Sequence, residues 1–178
     1  MSGWNRCRTK CITIWRYKGI SAAWSKSRSG WQKSLLSVQE NFSKRPVINL
    51  ILQGTLRRYP NLRFLVPHAG AFLPILSDRL VAASRTFPAF SGISFADDLN
   101  SLYYDLAGIS MPKQYDVLRQ ITSDSHLLYG SDATFTPLKA AVELSDMMEK
   151  KLVENMKAPV YHENAENLLA ECGIRVSG

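Results

Sequence analysis

Three ionisable side chains follow short apolar runs at comparable places in a repeating pattern. His68 follows Phe64-Leu65-Val66-Pro67 and precedes Ala69-Gly70. Asp105 closes Leu102-Tyr103-Tyr104 and precedes Leu106-Ala107-Gly108. Asp132 follows Leu127-Leu128-Tyr129 through Gly130-Ser131. An imidazole, with an ordinary pKa of about 6.5, exchanges protons near neutrality. A carboxylate is a hard anionic ligand suited to zinc or manganese. The chemistry on offer is therefore proton transfer beside a cation. The structural alternative is plain: a strand-end histidine held by hydrogen bonds, and an aspartate after Gly-Ser that caps a turn.

Stepping from these side chains to what must hold them, each apolar run reads as a buried parallel strand. The gaps between the runs are long enough for a returning helix. A helix is expected from Pro46 through Gly54 to Tyr59, with Pro60-Asn61 turning into the first strand. The next spans Phe72 to Ser84, with Leu73, Leu76 and Leu80 on its apolar face and Arg79 beside it. Pro88 to Asp98 reads as an irregular link. Ser110 is a candidate cap for a helix opened by Met111-Pro112. Thr136-Pro137, cap then proline, opens a helix to about Lys150. A last helix carries Asn164, Leu168 and Leu169 and stops at Gly173. Strands alternating with helices give a parallel α/β sheet, whose chemistry sits at the carboxyl ends of the strands.

The 178 residues carry a net charge of +7, unevenly placed. Residues 1–45 hold ten Lys/Arg and one acid, and all four tryptophans; residues 46–178 hold twelve Lys/Arg and fourteen acids. A boundary near residue 45 separates a basic, Trp-rich, poorly ordered segment from the α/β region. Within the segment, Cys11 to Tyr17 is a strand candidate and Ser21 to Ser37 reads as loop. Such a segment can be a tail, an organellar transit peptide or, through charge and rings, a nucleic-acid contact. Three scattered cysteines do not form a disulfide framework, which points to a reducing, cytoplasmic setting. No apolar run approaches the ~18 residues of a membrane span.

Taken together, the motifs resemble the amidohydrolase superfamily, in the branch typified by aminocarboxymuconate-semialdehyde decarboxylase. The matching residues are Gly54-Thr55-Leu56-Arg57-Arg58-Tyr59-Pro60-Asn61-Leu62-Arg63-Phe64, then Pro67-His68-Ala69-Gly70 with Leu73-Pro74 and Arg79. Tyr103-Tyr104-Asp105, Leu128-Tyr129-Gly130-Ser131-Asp132 and Asn164-Ala165-Glu166-Asn167-Leu168-Leu169 follow in order. The resemblance implies a partial TIM barrel, matching the last three β/α units. It implies a metal-dependent hydrolase or a non-oxidative carboxy-lyase acting on a small carboxylated cyclic or aromatic substrate. It makes His68 the catalytic proton carrier and Asp132 a metal ligand, zinc first and manganese second. It makes Arg79 a contact for a substrate carboxylate across a subunit interface, and gives Asp105 a supporting hydrogen-bonding role. A homo-oligomer or a partner-dependent assembly is expected.

The chain departs from that pattern. The family's first-strand His-x-His pair and fifth-strand histidine have no counterpart here. His126 falls at the start of the third strand, the wrong end, and His162 lies before the last helix. A catalytic metal site needs about three protein ligands. The chain alone is therefore expected to hold metal poorly and to be weak or inactive by itself. The alternatives are a non-catalytic remnant acting by association, or a nucleic-acid binder acting through residues 1–45.

Overall fold

A computed structural model describes residues 10–13, 46–132 and 135–174. The expectations for residues 14–45 lie outside the described residues. Four strands form one parallel sheet in the order β1-β2-β3-β4: Lys10–Thr13, Leu62–Val66, Tyr103–Asp105 and Leu127–Leu128. The protein is thus α/β, as the alternation predicts. β1, from the basic segment, pairs along β2 with Lys10 opposite Leu62 and Thr13 opposite Leu65.

Register sorts the side chains onto two faces. Val66 is level with Tyr104, and Tyr104 with Leu127, so these three share a face. They join the main core with apolar residues of five helices: α1 (46–52), α3 (Leu73–Thr86), α4 (Phe95–Asn100), α5 (Lys113–Leu118) and α6 (Leu138–Lys151). Tyr104 is fully buried there, and its hydroxyl donates to the Leu99 carbonyl at 2.9 Å. Leu65, Tyr103 and Leu128 lie on the opposite face, against Ala165, Leu168 and Cys172 at the end of the chain. Cys172 is buried and disulfide-bonded, its partner outside the described side chains. One such bond is not a framework, and cysteine spacing along a chain does not report distance in the fold.

Three expectations change. The helix from Pro46 does not run to Tyr59. It ends at residue 52, where Gly54 turns left-handed (φ 63) and its N–H takes the Ile51 carbonyl; a separate turn, α2 (Thr55–Arg58), follows. α2 is tied to α4 by Arg57 and the buried Asp98 at 3.0 Å. The link before β3 contains α4 itself, whose Asp97 N–H is capped by Ser94 at 3.4 Å. Ser110 is no cap, because its hydroxyl turns back to the Leu106 carbonyl at 2.8 Å.

The chain's last helical stretch decides where β4 sits. α7 (Glu154–Ala158) passes through a π turn (Pro159–Glu163) into α8 (Asn164–Glu171). In the π turn, the Asn164 N–H bonds the Pro159 carbonyl rather than that of Val160. The Val160 carbonyl is thereby free to accept the Tyr129 N–H at 2.8 Å, just beyond β4. The Asn164 side chain completes the dock, donating from Nδ2 to the carbonyls of Asp124 (2.9 Å) and Leu127 (2.8 Å). Removing those donors from a buried position leaves two carbonyls short of partners. Asn164→Ala is expected to cost about 1–3 kcal/mol in urea unfolding. Asn164→Asp, which sets an acceptor against two carbonyls, is expected to lose at least as much.

Candidate functional site

Because the strands are parallel, the turns after β2, β3 and β4 all lie at one edge of the sheet. His68 follows β2, Asp105 closes β3, and Asp132 stands four residues beyond β4. The structure therefore brings these three predicted residues to one mouth. The Asp105 carboxyl sits between the other two in an electrostatic sense. Burial pushes it above its ordinary range, the largest effect. Two backbone N–H donors and the neighbouring His68 oppose the rise, and the charge of Asp132 adds to it.

The His68 turn has an unusual backbone. His68, Ala69, Gly70 and Ala71 all have positive φ, from 49° to 73°. Three of the four are not glycine, so the turn is strained and needs outside support. Asp105 Oδ1 supplies part of it, accepting the N–H of His68 at 2.8 Å and of Ala107 at 3.2 Å. One carboxylate oxygen thus joins the ends of adjacent strands. The imidazole lies over Gly108 (φ 72), where a Cβ would collide with its Nδ1. That glycine serves the histidine twice, through its backbone conformation and through its missing side chain.

Asp132 is also left-handed (φ 52), a conformation aspartate tolerates better than most residues. Its Oδ2 accepts the Thr136 hydroxyl at 2.8 Å, and its carbonyl accepts the N–H groups of Phe135 and Thr136. Thr136, expected to cap α6, instead orients Asp132. The turns around the mouth expose apolar rings and chains, namely Phe72, Ile109, Tyr129 and Phe135.

Arg79 lies within α3. It is exposed on α3, six residues along from Leu73, or about 9 Å of helix axis. His126 lies at the other end of the sheet, as expected: its Nδ1 bonds the Asn100 carbonyl at 2.8 Å and its ring packs on Tyr103 with centroids 4.3 Å apart. His162 is exposed and pairs with Glu166 at 3.5 Å. Among the described residues, no group of three or more His, Cys, Asp or Glu side chains is gathered closely enough to hold a metal ion. The donor set present does not fit a tight metal centre, since Oδ1 of Asp105 already serves two N–H groups. Gly108, Gln114 and Thr136 were missed from the sequence. Gly108 left a trace there as the small residue three places after Asp105, and Thr136 as a candidate helix cap.

The amidohydrolase family model matches residues 28–170. The chain belongs to the amidohydrolase family. A 6-methylsalicylic acid decarboxylase of Penicillium expansum is 28% identical over 120 residues, which is 65% of this chain and 37% of that protein. A solved amidohydrolase II structure superposes with a TM-score of 0.71 at 28% identity, covering 82% of this chain and 47% of that one. A dihydroxybenzoic acid decarboxylase from a Polaromonas species, solved with manganese and 2-nitroresorcinol, shares the fold at 19% identity and a TM-score of 0.61, covering 72% of this chain and 41% of that one. The chain thus spans about two fifths of the length of such relatives.

Two outcomes test the site's internal geometry. Asp105→Asn keeps an acceptor for both N–H groups and removes a disfavoured buried charge, so stability at neutral pH is expected to hold or rise. Asp105→Ala strands both donors and is expected to cost about 1–3 kcal/mol. The pH dependence separates them further. A carboxyl raised in the folded state binds its proton more tightly there than when unfolded. Wild-type stability therefore falls as pH rises from the ordinary Asp value of about 3.9 toward the raised one, and Asp105→Asn is expected to flatten that fall in urea titrations at stepped pH.

Proposed function

We propose that this chain is the proton-transfer portion of a non-oxidative decarboxylase acting on a small carboxylated aromatic acid. The observation that carries the reading is the gathering of His68, Asp105 and Asp132 at one edge of a parallel sheet in a chain of this family. The sheet is read as part of a TIM barrel, with that edge as its functional mouth. Decarboxylase names among the relatives favour carboxyl loss over hydrolysis.

In such a reaction the ring–carboxyl bond breaks and its electron pair stays on the ring carbon. Carbon dioxide leaves, and a proton takes its place. His68 is the donor of that proton in this reading, being half-buried and held by its backbone, an imidazole being a common proton carrier. Phe72, Tyr129 and Phe135 offer apolar surface for the ring. Arg79 faces outward on α3, so its contact with a substrate carboxylate requires a second subunit. The metal that supplies charge stabilisation in this family is proposed to engage Asp132. The residues described here do not complete its site, and no step above runs through it. Manganese has the support of the Polaromonas neighbour; zinc, placed first by resemblance, has none of that kind. No described helix is long and apolar enough to cross a membrane.

The test is turnover of 6-methylsalicylate or a dihydroxybenzoate in D2O, with manganese or zinc supplied. The product is expected to carry one ring deuterium at the former carboxyl position. His68→Ala is expected to lower the rate by about 100-fold or more. Metal analysis of the purified chain checks Asp132 separately: whatever metal co-purifies is expected to fall in Asp132→Ala. If no acid in this class turns over at any metal concentration, the catalytic reading fails, and a binding role for the same fold takes its place.

A further inference from the structure

The strained turn at His68 is held from a second side, by the second residue of α5. Nε2 of Gln114, in the first turn of α5, lies 2.9 Å from the His68 carbonyl, 3.3 Å from that of Ala69 and 2.9 Å from that of Ala71. Three acceptors around one atom require it to be the amide nitrogen, its two protons shared among them. Four consecutive residues with positive φ turn their carbonyls away from ordinary helix or strand partners. Inside the turn, the Gly70 N–H reaches the Pro67 carbonyl and the Ala71 N–H that of His68. Gln114 adds a donor to the His68 carbonyl and reaches those of Ala69 and Ala71.

We propose that Gln114 is the positioning residue for His68, its amide fixing the left-handed turn that aims the imidazole. Asp105 holds the N–H of residue 68 and Gln114 holds its carbonyl. With both peptide groups flanking the Cα anchored, φ and ψ are set, and the side chain leaves the backbone in one direction, over Gly108. The consequence for catalysis rests on the reading of His68 as the proton donor; the clamp itself does not. Glutamine suits the task because it donates without charge to a partly buried cluster of carbonyls. Glutamate would oppose them, and asparagine is one methylene shorter.

The experiment compares wild type with Gln114→Met, Gln114→Glu and Gln114→Lys. Diethyl pyrocarbonate labelling is resolved by mass spectrometry at His68, His126 and His162. Methionine keeps the length without a donor. Lysine offers its ammonium to the same carbonyls and serves as the rescue. The His68 labelling rate is expected to change by about fivefold or more in Gln114→Met and Gln114→Glu, with His126 and His162 unmoved. Amide exchange in the peptide spanning residues 67–72 is expected to speed up by about tenfold in those two variants. Gln114→Lys is expected to bring His68 back to within about twofold of wild type. An unchanged His68 rate in both donorless variants overturns the clamp. So does a parallel shift at all three histidines, which reports general loosening. So does a lysine variant that behaves like methionine. Absence of turnover in every variant, with this labelling pattern intact, would count against the decarboxylase reading and leave the clamp standing.

Discussion

The arrangement depends on one shared hydrogen-bond acceptor. Oδ1 of Asp105 takes the N–H of His68 at the end of β2 and the N–H of Ala107 just past β3. A half-buried carboxylate in this position carries a desolvation cost, which raises its proton affinity. The two N–H groups offset part of that cost, and in return they are fixed in space. The turn that bears His68, a left-handed run containing three residues with a Cβ, draws part of its support from this acceptor. The constraint is mutual: the acid needs the donors, and the strained turn needs the acid.

Around that pairing, the rest of the mouth is built from short-range accommodations. Gly108 leaves room for the imidazole, Thr136 holds Oδ2 of Asp132, and the Gln114 amide gathers three carbonyls. Gly108 and Gln114 follow β3, Thr136 follows β4, and the His68 turn follows β2. Their meeting is a consequence of parallel strands, which place successive turns side by side at one edge. β4 is fastened on both sides by the helical stretch that follows α7, through Asn164 to the Asp124 and Leu127 carbonyls and through the freed Val160 carbonyl to the Tyr129 N–H. That fastening holds the strand from which the chain continues to Asp132.

The shape of the molecule follows from the same two-faced sheet. One face meets most of the helices in a continuous core, and the other is met by the end of the chain through Leu168 and Cys172. Charge is arranged locally rather than globally. Arg57 neutralises the buried Asp98, whose carboxyl is pushed up by burial and drawn down by that arginine. The mouth keeps two carboxylates and one imidazole close together, which favours proton traffic there. It does not gather the additional ligands a tight metal site calls for.

Apolar periodicity and residue order were enough to read an α/β fold, the three strands after Pro60, and His68, Asp105 and Asp132 at their ends. The reason is that strand bodies and their terminal polar residues are local features, written in consecutive positions. Family membership was legible for the same reason, through motifs such as Pro67-His68-Ala69-Gly70. The break at Gly54, the disulfide at Cys172 and the roles of Gln114 and Thr136 were not legible. They depend on which groups come within about 3 Å of one another after folding, and nothing in the spacing of Gln114 from His68, 46 residues apart, reports that an amide will find three carbonyls. The sequence on its own determined which chemistries are present and at which strand ends. Only the tertiary structure decided how they are aimed, because backbone conformation in a strained turn is set by partners from distant parts of the chain.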